Sequence, residues 1–378
     1  MTSTFDPVNQ RVDGQTNNFR QRLEALTEDD VGLHELRRRW ELMEARPVFF
    51  SGREQGVDAS WHGMDIRTLL SGEDSAGRFC VNDVIVAPGA GLPPHYRLDG
   101  DTYVIVGAGQ LTVQVGHVIE ELSESHFAFI PSSTRFAFRN ASDQPASMIL
   151  IHSPAGIERA FSAANAHWMA TGDTREVSYL AILERFGFHF DARTLDRDAQ
   201  TNTPVESIDF EFSTLGDMPR VREAFASRAA LPRIVKTSAE EVASGLRSGD
   251  NIFRKPVLTG DDSGGQAMVH LLASTSGLQA PPHHQTAEEE IFFVRRGEVQ
   301  LTCGSEFGAV GCGAFGFAPR HGTHAFHVRG ATPLTQFFTI NSPAGHERAL
   351  AVLRQMKAVG APDEARDVVL TAGDWVMH

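Results

Sequence analysis

Between Gly277 and Gly297 the chain reads Gly-Leu-Gln-Ala-Pro-Pro-His283-His284-Gln285-Thr-Ala-Glu288-Glu289-Glu290-Ile-Phe-Phe-Val-Arg-Arg-Gly. Imidazoles and carboxylates so close together are candidate metal ligands. On a β-strand, positions 283 and 285 point to the same side, because side chains alternate with a period of two. A hairpin can then return Glu290 to that side. His284 points the other way and could replace Gln285 only through a bulge, and Glu288 and Glu289 read as a solvated turn. A last ligand must come from a distant strand, for which Gly313–His327, with His321, His324 and His327, is a suitable histidine-rich segment. Neutral imidazoles plus one carboxylate suit Fe(II), Mn(II), Ni(II), Cu(II), Co(II) or Zn(II) and leave room for exogenous ligands.

The same pattern occurs upstream in altered form. Gly89, Pro93, Pro94, His95 and Gly109 each stand 188 positions before Gly277, Pro281, Pro282, His283 and Gly297. Where the later copy has Gln285, Glu290 and His324, the earlier one has Arg97, Thr102 and Phe136. Leu70–Gly77 matches Leu258–Gly265, and Ser153-Pro-Ala-Gly-Ile-Glu-Arg-Ala160 matches Ser342-Pro-Ala-Gly-His-Glu-Arg-Ala349. The chain is an internal duplication, one copy retaining a possible metal site that the other has lost. Arg97 reads by default as a salt-bridge or surface residue. Its alternative is an inward guanidinium that binds a carboxylate.

The elements that must position these groups are short β runs divided by Gly, Pro, Asn and Ser. Strict alternation at Leu111, Val113 and Val115, matched by Val299, Leu301 and Cys303, marks strands with one buried face. Helical spacing appears in 18–44, Ile157–Trp168, Ser178–Phe186, Val221–Ala226 and His346–Met356. At 378 residues the chain exceeds what one core usually organises. A net charge of −14 offers no footprint for nucleic acid or an anionic membrane. Cys80, Cys303 and Cys312 lack Cys-x-x-Cys spacing, which excludes a disulfide framework and a zinc knuckle. With no leader or spanning window, the expected location is the cytoplasm.

The later copy resembles the cupin superfamily. Gly277, His283, Glu290 and Gly297 match its first motif, with Gln285 at the second histidine position. Gly313, Pro319 and His324 match its second motif, with His321 at the glycine position and Gly322 following it. The Ser-Pro-Ala-Gly segments and Leu180–Phe188 are similar to the closing segments of quercetinase-like (flavonol 2,4-dioxygenase) bicupins. The resemblance covers roughly 47 to 355. It implies one divalent transition metal on His283, Glu290 and His324, with Glu290 also acting as a base and Gln285 hydrogen-bonding to substrate or oxygen.

The expected fold is all-β with flanking helices: two tandem cupin β-barrels or jelly rolls. The divisions are a helical extension (1–46), a degenerate metal-free domain (47–165), a helical connector (166–245), a metal-bearing domain (246–355) and a tail (356–378). The expected function is a quercetinase-like oxygenase acting on an aromatic, polyketide-like or enolisable small molecule and dioxygen. Its alternatives are a Lewis-acid cyclase, isomerase or decarboxylase, and a non-catalytic ligand-binding bicupin. Phe292, Phe315, Phe317, Phe326 and Phe337 are the candidate pocket wall. No nucleic acid or membrane is expected as partner. A homodimer is possible, although a bicupin can pair its own edge strands within one chain.

Overall fold

The computed structural model describes residues 33–50, 57–173, 176–190, 200–201, 229–248, 251–275, 277–329, 333–360, 362 and 364–378. The expected helix at Val221–Ala226, and the part of the N-terminal extension before Leu33, lie outside these residues. The helix Leu33–Glu41 buries Leu36 and Trp40 on the first half.

Each half is a jelly roll of two facing sheets. In the first, the smaller sheet runs Phe188–His189, Gly91–Arg97, Phe136–Arg139, Gln110–Val115 and Val118–Ser123. In the second it runs Glu306–Val310, Val299–Cys303, His324–His327, Gln279–Gln285 and Trp375–Met377. The duplication holds to the residue: Phe136 faces His95 across one sheet as His324 faces His283 across the other. Thr102 pairs with Ile130 just as Glu290 pairs with Ala318.

The repeated closing motif has a mechanical role in both copies. Glu158 accepts hydrogen bonds from the backbone amides of Gly72 (2.9 Å) and Gly156 (2.8 Å). Glu347 does the same for Gly260 and Gly345, both at 2.8 Å. A carboxylate at a helix start satisfies amides that have no partner within the helix. Each latch thus ties the helix leaving the jelly roll to the turn after its first long strand. The helices are Ile157–Thr171 and Glu347–Ala358. The first ends on Gly172, whose left-handed φ of 64° lets its amide reach the Trp168 carbonyl.

The large sheets of the two halves pack against each other. Their shared core includes Phe79, Tyr103, Phe127 and Phe129 from the first half and Phe293, Phe315, Phe317 and Phe338 from the second. Both faces of these strands are therefore buried, so they read as near-continuous apolar runs. Along Glu289–Arg296, Phe292 and Val294 point into the jelly roll while Ile291 and Phe293 point at the other half. Fully burying one such side chain contributes about 1.5–3 kcal/mol.

The halves also trade edge strands. Val48–Phe50, expected to open the first domain, instead pairs antiparallel with Phe315–Ala318 of the second. Arg233–Val235, placed by sequence in the connector, pairs with Phe127–Ile130 of the first. Residues 356–378 were expected as a tail but hold the helix Glu364–Ala372 and the strand Trp375–Met377, which pairs with the strand of His283. The first half has its counterpart in Glu176–Glu184 and Phe188–His189. No helix among the described residues is long and apolar enough to cross a membrane.

Candidate metal centre

His283, Glu290 and His324 meet inside the second jelly roll. One ligand atom from each lies within 4.8 Å of the others, and all three residues are buried. Neighbouring strands supply the two imidazoles, whose ring centroids are 4.4 Å apart. The opposing sheet supplies Glu290.

Hydrogen bonds to backbone carbonyls fix the tautomers. His283 Nδ1 lies 2.7 Å from the Pro281 carbonyl, and His324 Nδ1 lies 2.8 Å from that of Gly322. A carbonyl only accepts, so each Nδ1 carries its proton and each Nε2 is left for the interior, the arrangement that orients metal-bound histidines. His283 Nε2 is buried without a hydrogen-bond partner. His324 Nε2 lies 3.1 Å from a Glu290 carboxylate oxygen. The contact between Nε2 and the carboxylate must hold a proton or a metal ion, and two imidazoles with one carboxylate are a donor set that fits a divalent transition metal. Gln285 shares this inward face, and its Nε2 is likewise buried and unpartnered.

The electrostatics agree. Burial, reinforced by His324, pulls the pKa of His283 down to about 4, which keeps its lone pair available. Burial alone pushes Glu290 up, but the facing His324, His283 and His346 outweigh it and hold this carboxyl below its ordinary value.

Through Glu290 the triad adjoins a cavity of about 850 Å³. Its apolar wall includes Met268, Leu272, Phe326, Leu350, Leu353 and Trp375, while Arg254, His270, Thr339 and His346 are among its polar members. Trp375 stacks on His283 with centroids 4.3 Å apart and planes 23° from parallel.

Of the five phenylalanines expected in the wall, Phe326 borders the cavity. Phe292 and Phe337 pack beside it in the interior cluster. Phe315 and Phe317 face away, into the core between the halves, and do not line the cavity. Register explains this correction. Gly316 and Ala318 sit opposite Phe292 and Glu290 and share their inward face, so the odd-numbered neighbours must point outward.

Glu288 and Glu289, expected in a solvated turn, are both buried. Glu288 lies 2.7 Å from His346. Although burial pulls the His346 pKa down, Glu288 more than offsets it and raises it above the ordinary value. Glu289 pairs with Arg320 at 2.6 Å and, across the interface, with Arg78 at 2.5 Å. Burial still lifts its carboxyl to about 7. His284 points outward to His378, with Nδ1 and Nε2 2.7 Å apart, and His321 and His327 are exposed.

Sequence reasoning missed Arg254, His270, Asn341, His346 and Trp375. Asn341 sits opposite Glu290 in register, and both polar atoms of its side chain are buried without a hydrogen-bond partner. Alternation from Glu290 across the paired strands was the signal that could have found it.

Residues 82–152 match the family model described as cupin domain. The match falls on the first jelly roll, whose ligand positions are altered. No match was found among curated proteins. Among solved structures, the protein Ylba from E. coli is 12% identical with a TM-score of 0.49, over 79% of this chain and 92% of its own. A salicylate 1,2-dioxygenase from Pseudaminobacter salicylatoxidans is 12% identical, with a TM-score of 0.47 over 87% and 84%. An oxalate decarboxylase variant from Bacillus subtilis is 13% identical, with a TM-score of 0.47 over 89% of each chain. Residues 82–152 thus carry a cupin domain, and the second jelly roll repeats the strand pairing of the first.

Proposed function

We propose that the second jelly roll is a metal-dependent oxygenase acting on an aromatic, polyketide-like or other enolisable small molecule, with dioxygen as co-substrate. The observation that carries this reading is the meeting of His283, Glu290 and His324, two imidazoles and one carboxylate, beside a largely apolar cavity whose wall includes Glu290. Such a set leaves coordination positions open. A divalent transition metal held there supplies Lewis acidity and, for iron, manganese, cobalt or copper, redox chemistry.

The protein's own groups have separable tasks. The carbonyl anchors at Pro281 and Gly322 hold both Nε2 atoms inward before anything binds. Among the described residues Glu290 is the one carboxylate in the cavity wall, and its depressed pKa keeps it ionised, able to accept a proton from a substrate hydroxyl within hydrogen-bond reach. Gln285 has a free amide N–H to donate to a substrate oxygen. Leu272, Phe326, Leu350 and Trp375 exclude water and provide flat apolar surface for a planar ring.

Elemental analysis of purified protein combined with oxygen-electrode assays on a panel of enolisable aromatics tests the reading. Roughly one metal per chain, as the single triad among the described residues demands, and substrate-dependent oxygen uptake that disappears in Glu290→Gln are expected. Turnover without oxygen uptake would assign the site to Lewis-acid chemistry instead, and absence of bound metal would refute the reading.

A further inference from the structure

Among the described residues the cavity wall holds three arginines, Arg254, Arg354 and Arg366, against one carboxylate, Glu290, and Glu290 belongs to the ligand triad. In a chain of net charge −14 this local excess of positive charge runs against the whole. Low-dielectric walls concentrate such a field inside a cleft.

Arg254 is the informative member. It lies on the strand Ile252–Leu258, opposite Leu272, at a position whose side chain faces the interior. The equivalent position in the first jelly roll is Ile66, opposite Val84, which is buried in a filled core. The second copy therefore has a charge where the first has hydrocarbon. Among the described residues, the Arg254 side chain makes no hydrogen bond or ion pair. Burial, together with the like charge of Arg354 and against the pull of Glu290, brings its pKa down to about 10. A half-buried guanidinium without a protein partner is better stabilised when an anion meets it. Arg354, on the helix Glu347–Ala358, reaches the same cavity from the solvent side. The two arginines present forked donors from two elements, geometry that suits a carboxylate.

We propose that the substrate of this cavity is an apolar or aromatic carboxylate whose anionic group is held by Arg254, assisted by Arg354, while its ring lies along Leu272, Phe326 and Trp375. Arg254 is thus a specificity-determining residue. This rests on the reading of the cavity as the substrate site beside the metal triad.

Calorimetric titration of the full-length protein with 2-naphthoate and with neutral 2-naphthamide, alongside elemental analysis of the same preparations, tests it. The naphthoate is expected to bind about tenfold or more tightly than the amide, the scale of a hydrogen bond to a charged group. Arg254→Met should abolish that preference while amide binding and metal content persist, and Arg254→Lys should restore part of it. Should Arg254→Met fail to fold, Arg354→Met, on an exposed helical position, must still reduce the preference. Equal affinity for the two probes in the unmodified protein, or failure of the naphthoate to bind, overturns the proposal. So does a preference that survives both Arg254→Met and Arg354→Met. Metal-free protein that still prefers the naphthoate would sink the oxygenase reading and leave the carboxylate site standing.

Discussion

The two jelly rolls share a register and differ in what fills them. Both keep the first histidine and its anchor: His95 Nδ1 lies 2.9 Å from the Pro93 carbonyl, as His283 Nδ1 lies 2.7 Å from that of Pro281. Around His95, however, Phe136, Phe188 and Phe190 pack within 5.1 to 5.7 Å, centroid to centroid. The strand bearing Phe188 pairs with Gly91–Arg97 as the strand bearing Trp375 pairs with Gln279–Gln285. Arg97, which stands where the second copy has Gln285, pairs with Asp99 through contacts of 2.8 and 3.1 Å, while its Nη1 is buried without a hydrogen-bond partner. The salt-bridge reading of Arg97 holds through Asp99. The lesson is that side chains at a few inward positions decide whether this scaffold is solid or hollow, while the backbone stays the same.

The comparison breaks most completely at His324. His324→Ala leaves one imidazole and one carboxylate, so metal content measured by plasma emission should fall to background, with oxygen uptake following it. Unchanged occupancy would refute the ligand set.

Next in size is a change in the solid half. Phe188→Ala removes a fully buried ring, so it should destabilise the protein by about 3–5 kcal/mol in chemical denaturation. A loss below about 1 kcal/mol would mean that the first jelly roll is not tightly filled.

Acid next probes the neutral histidines buried in the solid half. Burial pulls His95 down to about 4 and holds His152 well below its ordinary value. The unfolded chain therefore takes up protons at these sites before the folded one does. The stability due to neutral histidines is fully present above about pH 6.5 and is lost as pH falls towards 4. The His95 shift corresponds to about 3 kcal/mol at most. Thermal melts of the parent and His95→Gln at pH 7.5 and 5 should show a smaller acid loss in the variant, and parallel losses would contradict the assignment.

The smallest effect sharpens the comparison by its size: His95→Gln should leave metal content unchanged by the same plasma-emission measurement, since Thr102 and Phe136 offer no partner ligands.

Much of this was legible in the sequence, and the parts that were not share a physical origin. Local spacing found the duplication, the jelly-roll class and the pairing of His283 with a distant histidine, because period-two alternation and turn residues act over a few positions. Phe315 and Phe317 went astray because alternation gives two faces without saying which is inside. With both faces buried, hydrophobicity could not choose between them. Glu288 and Glu289 misled because three adjacent glutamates look like solvent-exposed sequence, whereas their partners Arg78, Arg320 and His346 are remote in the chain. Trp375 was unreadable for a similar reason: its strand is short and is defined by the edge that it joins.

The exchange of edge strands has a consequence for anyone who tries to cut this molecule in two. A fragment beginning after the first half would leave behind Val48–Phe50 and present the bare backbone of Phe315–Ala318, together with the phenylalanines behind it, to water. Such a piece is a template for self-association. Solubility should return only when the complementary fragment is made alongside it, so the silent twin serves as an indispensable scaffold for its hollow sibling.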